Sequence, residues 1–279
     1  MNNEPIELEL SQFSTFLKNR PIDTHKGDYG HVLIVGGNIG YSGAVRLAAE
    51  AALRTGAGLV SIATHAAHAA FLNQTRPEVM CHPIHVADEL QSLIAKASVI
   101  VLGPGLGCNE WSRPLWSAVM TSGKPLVVDA DGLNLLAEQP KKNSHWILTP
   151  HPGEAARLLR QTTQVVQQNR LLALTQLQKN YAGVVVLKGA GSLVLDDQDE
   201  PSISHFGNPG MATAGMGDVL SGVISSLVAQ GNSLVDSAKL GVLLHAMAGD
   251  LAANAGQRGM IASDLMPYLR QLVNEQSSC

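Results

Sequence analysis

Short β-branched runs alternate with longer helical stretches along almost the whole chain, and this alternation restricts the fold more than any other feature. His31–Val35, Leu59–Ala63, Val99–Leu102, Leu126–Asp129, Trp146–Leu148 and Val184–Leu187 read as strands. The helical stretches are Ser42–Arg54, Ala66–Leu72, Ala87–Ala95, Glu110–Met120, Gly132–Ala137, Glu154–Arg160, Val165–Asn180, Asp218–Ala229, Val235–Ala255 and Ala262–Val273. Such a pattern builds βαβ units and a mostly parallel sheet covered by helices on both faces, an α/β fold of three layers. Leu193–Val194 and Ile203–His205 read as a small hairpin after the sixth strand. Ala44, Ala48, Ala49 and Ala52 give one helix a face of small side chains that admits close packing. No repeat and no Pro/Ser linker divides the sequence, so residues 1–279 are expected to form a single domain.

Composition narrows the function. Hydrophobic residues make up 45% and charged residues 15%, enough apolar surface to offset the entropy of ordering a core. Nineteen Lys and Arg stand against twenty-three Asp and Glu, a net charge of −4, so no basic excess is present to bind a nucleic-acid backbone or anionic lipid. Cys81, Cys108 and Cys279 are too few and too far apart for a zinc site or a disulfide framework, which points to a reducing cytosol. The N-terminal stretch lacks the basic and apolar regions of a signal peptide, and no apolar run reaches the length of a membrane span. Small-molecule chemistry is the remaining class.

That chemistry concentrates in five glycine-bearing loops: Gly36–Gly40, Gly103–Gly107, Thr149–Glu154, Lys188–Ser192 and Gly207–Asp218. Gly36–Gly40 lacks the G-x-G-x-x-G spacing of a dinucleotide fold, and the P-loop spacing is absent as well. In Asn208-Pro-Gly-Met-Ala-Thr-Ala-Gly-Met-Gly-Asp218, the Gly215–Gly217 amides converge at a helix N-terminus, a ready anion site. Asp218 in the first turn repels a phosphate. It therefore reads either as an acid stabilising the helix start or as a base that takes a proton from an attacking hydroxyl.

Gly215-Met-Gly-Asp218, Thr149-Pro-His-Pro-Gly-Glu154 and Lys188-Gly-Ala-Gly-Ser192 together resemble the ribokinase-like superfamily. More narrowly, Lys26-Gly-Asp-Tyr-Gly-His31, Val35-Gly-Gly, Leu102-Gly-Pro-Gly-Leu-Gly107, Asp129-Ala-Asp-Gly-Leu133 and Thr149–Glu154, in this order, resemble the NAD(P)HX dehydratases. The resemblance runs from about Lys26 to Asp264 and implies a ribokinase-like three-layer α/β/α fold. It implies nucleotide-dependent dehydration of the 6S hydrate of NADH or NADPH, with ADP (or ATP) as phosphoryl donor and Mg²⁺ as cofactor. Asp218 is then the catalytic base. Ala44, Gly105, Gly107, His151 and Asp218 contact the hydrated cofactor, and Lys188, Gly189, Ala190, Gly191, Ser192, Gly215 and Gly217 hold the nucleotide.

Glu154 matches an acid that organises magnesium through water in related kinases, and it also suits first-turn helix stabilisation; Asp129 and Asp131 equally suit helix capping. The family further implies a homo-oligomer, a tetramer. The epimerase domain often fused before this one has no counterpart in these motifs. A small-molecule kinase of the same superfamily, of the hydroxyethylthiazole or pyrimidine kinase type, would use the same anion hole and Asp218. A silent nucleotide-binding sensor is the alternative outside enzymes.

Overall fold

The computed structural model describes residues 4–17 and 19–274, so Cys279 lies outside the described residues. Among these, ten strands form one sheet: β1 Ile6–Glu7, β2 His31–Val35, β3 Leu59–His65, β4 Met80–Ile84, β5 Val99–Leu102, β6 Leu126–Val128, β7 Trp146–Leu148, β8 Val184–Leu187, β9 Ser192–Leu195 and β10 Ser202–Ser204. Their order is β1-β10-β9-β8-β7-β6-β5-β2-β3-β4. Neighbours are parallel except that β9 runs antiparallel to both β8 and β10, the hairpin expected after the sixth strand.

The central strands bury both faces, which is why they read as continuous apolar runs. Leu33, Val35, Ile100, Leu102 and Leu187 point to one face, and Val32, Ile34, Val99, Val101 and Val186 to the other. The first face packs against α3 Gln91–Lys96, α4 Ser112–Met120, α5 Ala130–Glu138, α6 Pro152–Leu159, α7 Thr163–Gln168 and α8 Arg170–Tyr181. The second packs against α1 Ser42–Thr55, α9 Met216–Ala229 and α10 Leu234–Ala252, with α11 Met266–Leu272 outside them. Each fully buried aliphatic side chain contributes roughly 1.5–3 kcal/mol. The alanine face of α1 meets α9 so closely that a Cβ on Gly222 would stand 2.1 Å from Ala48 O.

Several expectations are corrected. β4, Met80-Cys-His-Pro-Ile84, escapes sequence reading because it contains Pro83; it is tolerated as an edge strand, where a missing N–H breaks no ladder. The helix expected over Val165–Asn180 is two helices, α7 and α8, parted at Asn169, whose side chain accepts the Leu172 amide. Ala66–Leu72 shortens to α2 Ala66–Ala69, and the starts of the helices expected at Ala87 and Ala262 are 3₁₀ turns. Asp129 ends no strand; it stands just past β6 as the residue before α5.

Because β2, β5, β6, β7 and β8 are parallel, the loops at their carboxyl ends gather on one side of the sheet. The first four glycine loops and Asp129 all lie there.

Candidate active site

The turn expected to hold an anion stands at the start of α9. Gly215 precedes the helix at φ +90°, a conformation suited to glycine, and a Cβ there would strike Leu47 of α1 at 2.4 Å. The first-turn amides of a helix have no intrahelical acceptor, so those of Met216, Gly217 and Asp218 face outward with the positive end of the helix dipole. Asp218 lies in this first turn, while Gly215 holds the capping position. Asp218 can thus stabilise the helix start only as a first-turn acid and not as its cap.

Beneath the hole sits a buried charge cluster. Lys188 Nζ is 2.7 Å from Asp129 Oδ1 and 3.8 Å from Glu154 Oε2. Asp129, only 1% exposed, also accepts Ser221 Oγ at 2.9 Å from the second turn of α9. A Cβ on Gly217 would stand 3.2 Å from Lys188 Nζ and 3.4 Å from Asp129 Oδ2, so the ammonium lies directly under the glycine turn. Burial opposes the charge on Lys188, but Asp129 and Glu154 outweigh it and hold the ammonium above the ordinary lysine value. Burial first, and Asp129 second, push the Asp218 carboxyl up to about 7. Burial likewise raises Glu154 to about 7, against the pull of Lys188. A carboxyl poised near neutrality is suited to take and return a proton.

His151 starts α6. Its Nδ1 accepts the Gly153 amide at 3.0 Å, its Nε2 lies 3.4 Å from Glu154 Oε1, and its own amide donates to Glu154 Oε2 at 2.8 Å. This reciprocal cap fixes the ring, and burial together with Lys188 lowers its pKa and favours the neutral form. Glu154 thus does serve the helix start, and in addition touches Lys188.

Two cavities meet at this cluster. The larger, about 470 Å³, is lined by Lys188–Ser192, His205–Pro209, Met211, Ala212, Met216, Gly217, Leu220, Val242, His245 and Ala246. The smaller, about 360 Å³, is lined by Asp129, Ala130, His151, Pro152, Lys188, Gly189, Gly215, Gly217 and Asp218. Lys188, Gly189 and Gly217 belong to both walls. The structure therefore brings His151, Lys188–Ser192, Gly215, Gly217 and Asp218 together.

Ala44, Gly105 and Gly107 form an adjacent group rather than part of either wall. A Cβ on Gly105 would stand 3.3 Å from Ala44 Cβ and 2.7 Å from Tyr41 Cβ. Gly107 donates its amide to Asp131 Oδ2 at 2.8 Å. This group joins the cavities through Leu47 against Gly215 and through Gly103, whose Cβ would strike Asp129 O at 1.9 Å.

Some residues of the site escaped the sequence. Arg170, at the start of α8, donates to Ala190 O at 2.5 Å and to Leu187 O at 3.1 Å, bracing the loop between β8 and β9. Its partners are main-chain oxygens, which leave no signature in side-chain identity. His245 lines the larger cavity, and burial pushes it down to about 4, hence neutral. Among the described residues no group of three or more His, Cys, Asp or Glu side chains is arranged to hold a metal ion.

Comparison with known proteins agrees with this geometry. A family model described as NAD(P)H-hydrate dehydratase matches residues 32–271. The chain is 52% identical over 268 residues to the bifunctional NAD(P)H-hydrate repair enzyme of Coxiella burnetii, covering 96% of this chain and 55% of that protein. It thus spans about half the length of the bifunctional relatives it matches. It is 37% identical to the ADP-dependent (S)-NAD(P)H-hydrate dehydratase of Neisseria meningitidis serogroup B, over 94% of this chain and 91% of that one. The crystal structure of the ADP/ATP-dependent NAD(P)H-hydrate dehydratase of Bacillus subtilis, co-crystallised with ATP and Mg²⁺, superposes with a TM-score of 0.88 at 25% identity, covering 99% and 100% of the two chains. The architecture is the ribokinase-like fold. The small-molecule kinase alternative is not favoured by these matches.

Proposed function

The chain belongs to the NAD(P)H-hydrate dehydratase family, and on that premise we propose that it regenerates NADH and NADPH from their 6S hydrates while converting ADP to AMP and phosphate. The observation that carries this reading is the position of Asp218: a carboxyl with a pKa of about 7 beside a glycine anion hole, at the wall shared by two cavities. The larger cavity takes the adenine nucleotide. Lys188–Ser192 and Gly217 hold its phosphates, while Leu220, Val242 and Ala246 offer an apolar wall to the base. The smaller cavity takes the hydrated nicotinamide against His151 and Asp218, with Ala44, Gly105 and Gly107 permitting close approach of the rest of the dinucleotide.

In this reading Asp218 removes the proton of the ring hydroxyl as its oxygen attacks the terminal phosphorus. The first-turn amides stabilise the charge on the phosphoryl group in flight. Lys188, held by Asp129 and Glu154, places a fixed positive charge under the same turn. The phosphate ester so formed is a good leaving group, and its departure, with loss of a proton from the neighbouring ring carbon to water, restores the ring double bond. His151, capped in one orientation, positions the substrate.

The donor set does not build a magnesium cage: Asp129 is taken by Lys188 and Ser221, and Glu154 by Lys188 and the His151 amide. Mg²⁺, which keeps several waters and favours phosphate oxygens, is therefore expected to arrive with the nucleotide rather than on direct protein ligands. A single domain over residues 1–279, a cytosolic setting and a homo-oligomer, tetrameric by resemblance, belong to the same reading; the thiols of Cys81 and Cys108 are free, in keeping with a reducing compartment. Among the described residues no helix is long and apolar enough to cross a membrane.

The deciding experiment incubates the protein with hydrated NADH, Mg²⁺ and either ADP or ATP and follows recovery of NADH absorbance. Recovery that requires nucleotide and releases AMP or ADP with phosphate supports the proposal. Recovery without nucleotide, binding of nucleotide without turnover, or accumulation of a stable phosphorylated alcohol would overturn it.

A further inference from the structure

α1 and α9 both leave the catalytic end of the molecule and run 14 residues each, a rise of about 20 Å. They end together, where Gln230 Nε2 donates to Thr55 O at 3.1 Å. Beside these two helix ends lies a separate cavity of about 460 Å³, a size that holds a small organic ligand. Its wall contains Arg20, Arg54, Arg76 and Arg270, four of the ten arginines of a chain whose net charge is −4. Glu78 is the lining carboxylate.

These guanidinium groups are incompletely neutralised. Arg76 and Arg54 share one carboxylate, Glu50, bonded to the first and 3.7 Å from the second. Among the described residues no carboxylate pairs with Arg20 or Arg270. Arg20 donates to Gly56 O and stacks 3.5 Å above the Tyr29 ring, contacts that fix the plane of its guanidinium without cancelling its charge. Among the described residues, four cations against Glu50 and Glu78 leave an excess of two positive charges around the cavity. On the same wall Arg76 Nε and Thr55 Oγ1 are buried without a hydrogen-bond partner, an arrangement native proteins rarely leave unexplained. The planar fork of arginine matches phosphate oxygens in pairs. Leu53 and Val273 add an apolar patch for the body of a ligand.

We propose that this cavity is a second anion site, separate from the nucleotide chamber, which takes a small phosphorylated molecule. An excess of two charges matches one phosphoryl group, which carries about −2 near neutrality, better than a single carboxylate, and the volume accommodates more than the anion alone. This assignment does not depend on the proposed dehydratase activity, since no residue of the cavity belongs to the site around Asp218.

The test uses calorimetry with inorganic pyrophosphate as the probe, on the parent protein, on an Arg20→Gln/Arg270→Gln double variant and on Gly191→Val, which obstructs the nucleotide chamber. The parent is expected to bind two equivalents. The double variant should lose one of them by at least tenfold in affinity while any nucleotide-dependent turnover stays unchanged, and Gly191→Val should keep that same one. A single binding event that vanishes in Gly191→Val, or unchanged binding in the folded double variant, overturns the proposal. If losing the Arg20 stack on Tyr29 prevents folding, Arg270→Glu alone gives the same reading: repulsion of pyrophosphate supports the site and unchanged affinity refutes it.

Discussion

Replacing Asp218 by Asn tests the chemistry and the electrostatics together. The carboxyl has a pKa of about 7, so about one in eleven molecules is ionised at pH 6 and about ten in eleven at pH 8. Turnover of the parent enzyme should therefore climb about tenfold between those values and level off above pH 8. Asn is nearly isosteric but cannot accept the proton, so the rate should fall by ~10²–10⁴-fold and its dependence on pH around 7 should disappear. Stability should move the other way. A carboxyl whose pKa is higher folded than unfolded binds protons preferentially in the folded state, so its contribution to stability declines as pH rises from the ordinary aspartate range to about 7. Asn is spared that decline, and its thermal midpoint relative to the parent should improve across the same interval. The assay is NADH absorbance recovered from its hydrate at saturating ADP from pH 5.5 to 9, with thermal unfolding at each pH. Near-parental turnover in Asp218→Asn, or a parent profile flat through pH 7, would show that Asp218 merely stabilises the first turn of α9.

Three further outcomes follow from the packing. Lys188→Met leaves Asp129 and Glu154 buried without their cation, which should cost roughly 3–5 kcal/mol in denaturant unfolding and shift any surviving pH–rate midpoint above 7, because Lys188 lowers the Asp218 pKa. Gly191→Val places a branched side chain at φ +69° and within 3.2 Å of Ile203, so ADP affinity measured by calorimetry should drop at least tenfold while the fold persists; unchanged affinity would remove the loop from the nucleotide site. Gly222→Val drives a side chain into Ala48 O, and a loss of roughly 1–3 kcal/mol or more is expected in thermal unfolding; an unchanged midpoint would mean that α1 and α9 can separate without penalty.

The parts of the fold legible in the sequence are those in which each residue reports its own surroundings. β2, β5, β7 and β8 occupy the expected residues because buried parallel strands are apolar on both faces. β4 is illegible for the opposite reason: an edge strand with a proline and a half-buried histidine carries no period. Asn169 is polar within an amphipathic stretch and looks like helix surface until its side chain is seen to start α8. At the site, Gly215, Gly217 and Asp218 are readable as a helix start, because a glycine turn followed by an acid and an apolar run marks one. The pairing of Lys188 with Asp129 was not, since 59 residues separate them and only the order of β6, β7 and β8 brings them together. That pairing turns the Lys188 ammonium inward under the glycine turn, whereas the resemblance implied only that Lys188 stands among the residues holding the nucleotide.

The two cavities share a wall at Lys188, Gly189 and Gly217 yet have otherwise different linings, and this arrangement governs the order of events in a catalytic cycle. With the nucleotide and the hydrated dinucleotide placed as proposed, each reactant has its own cavity, so neither seals the other out and neither must leave first. Steady-state kinetics should then follow a random-order scheme, with AMP competing against ADP but not against the hydrated dinucleotide. A compound joining an adenylate to a nicotinamide-like ring through one phosphate would span both cavities at once and compete with both reactants.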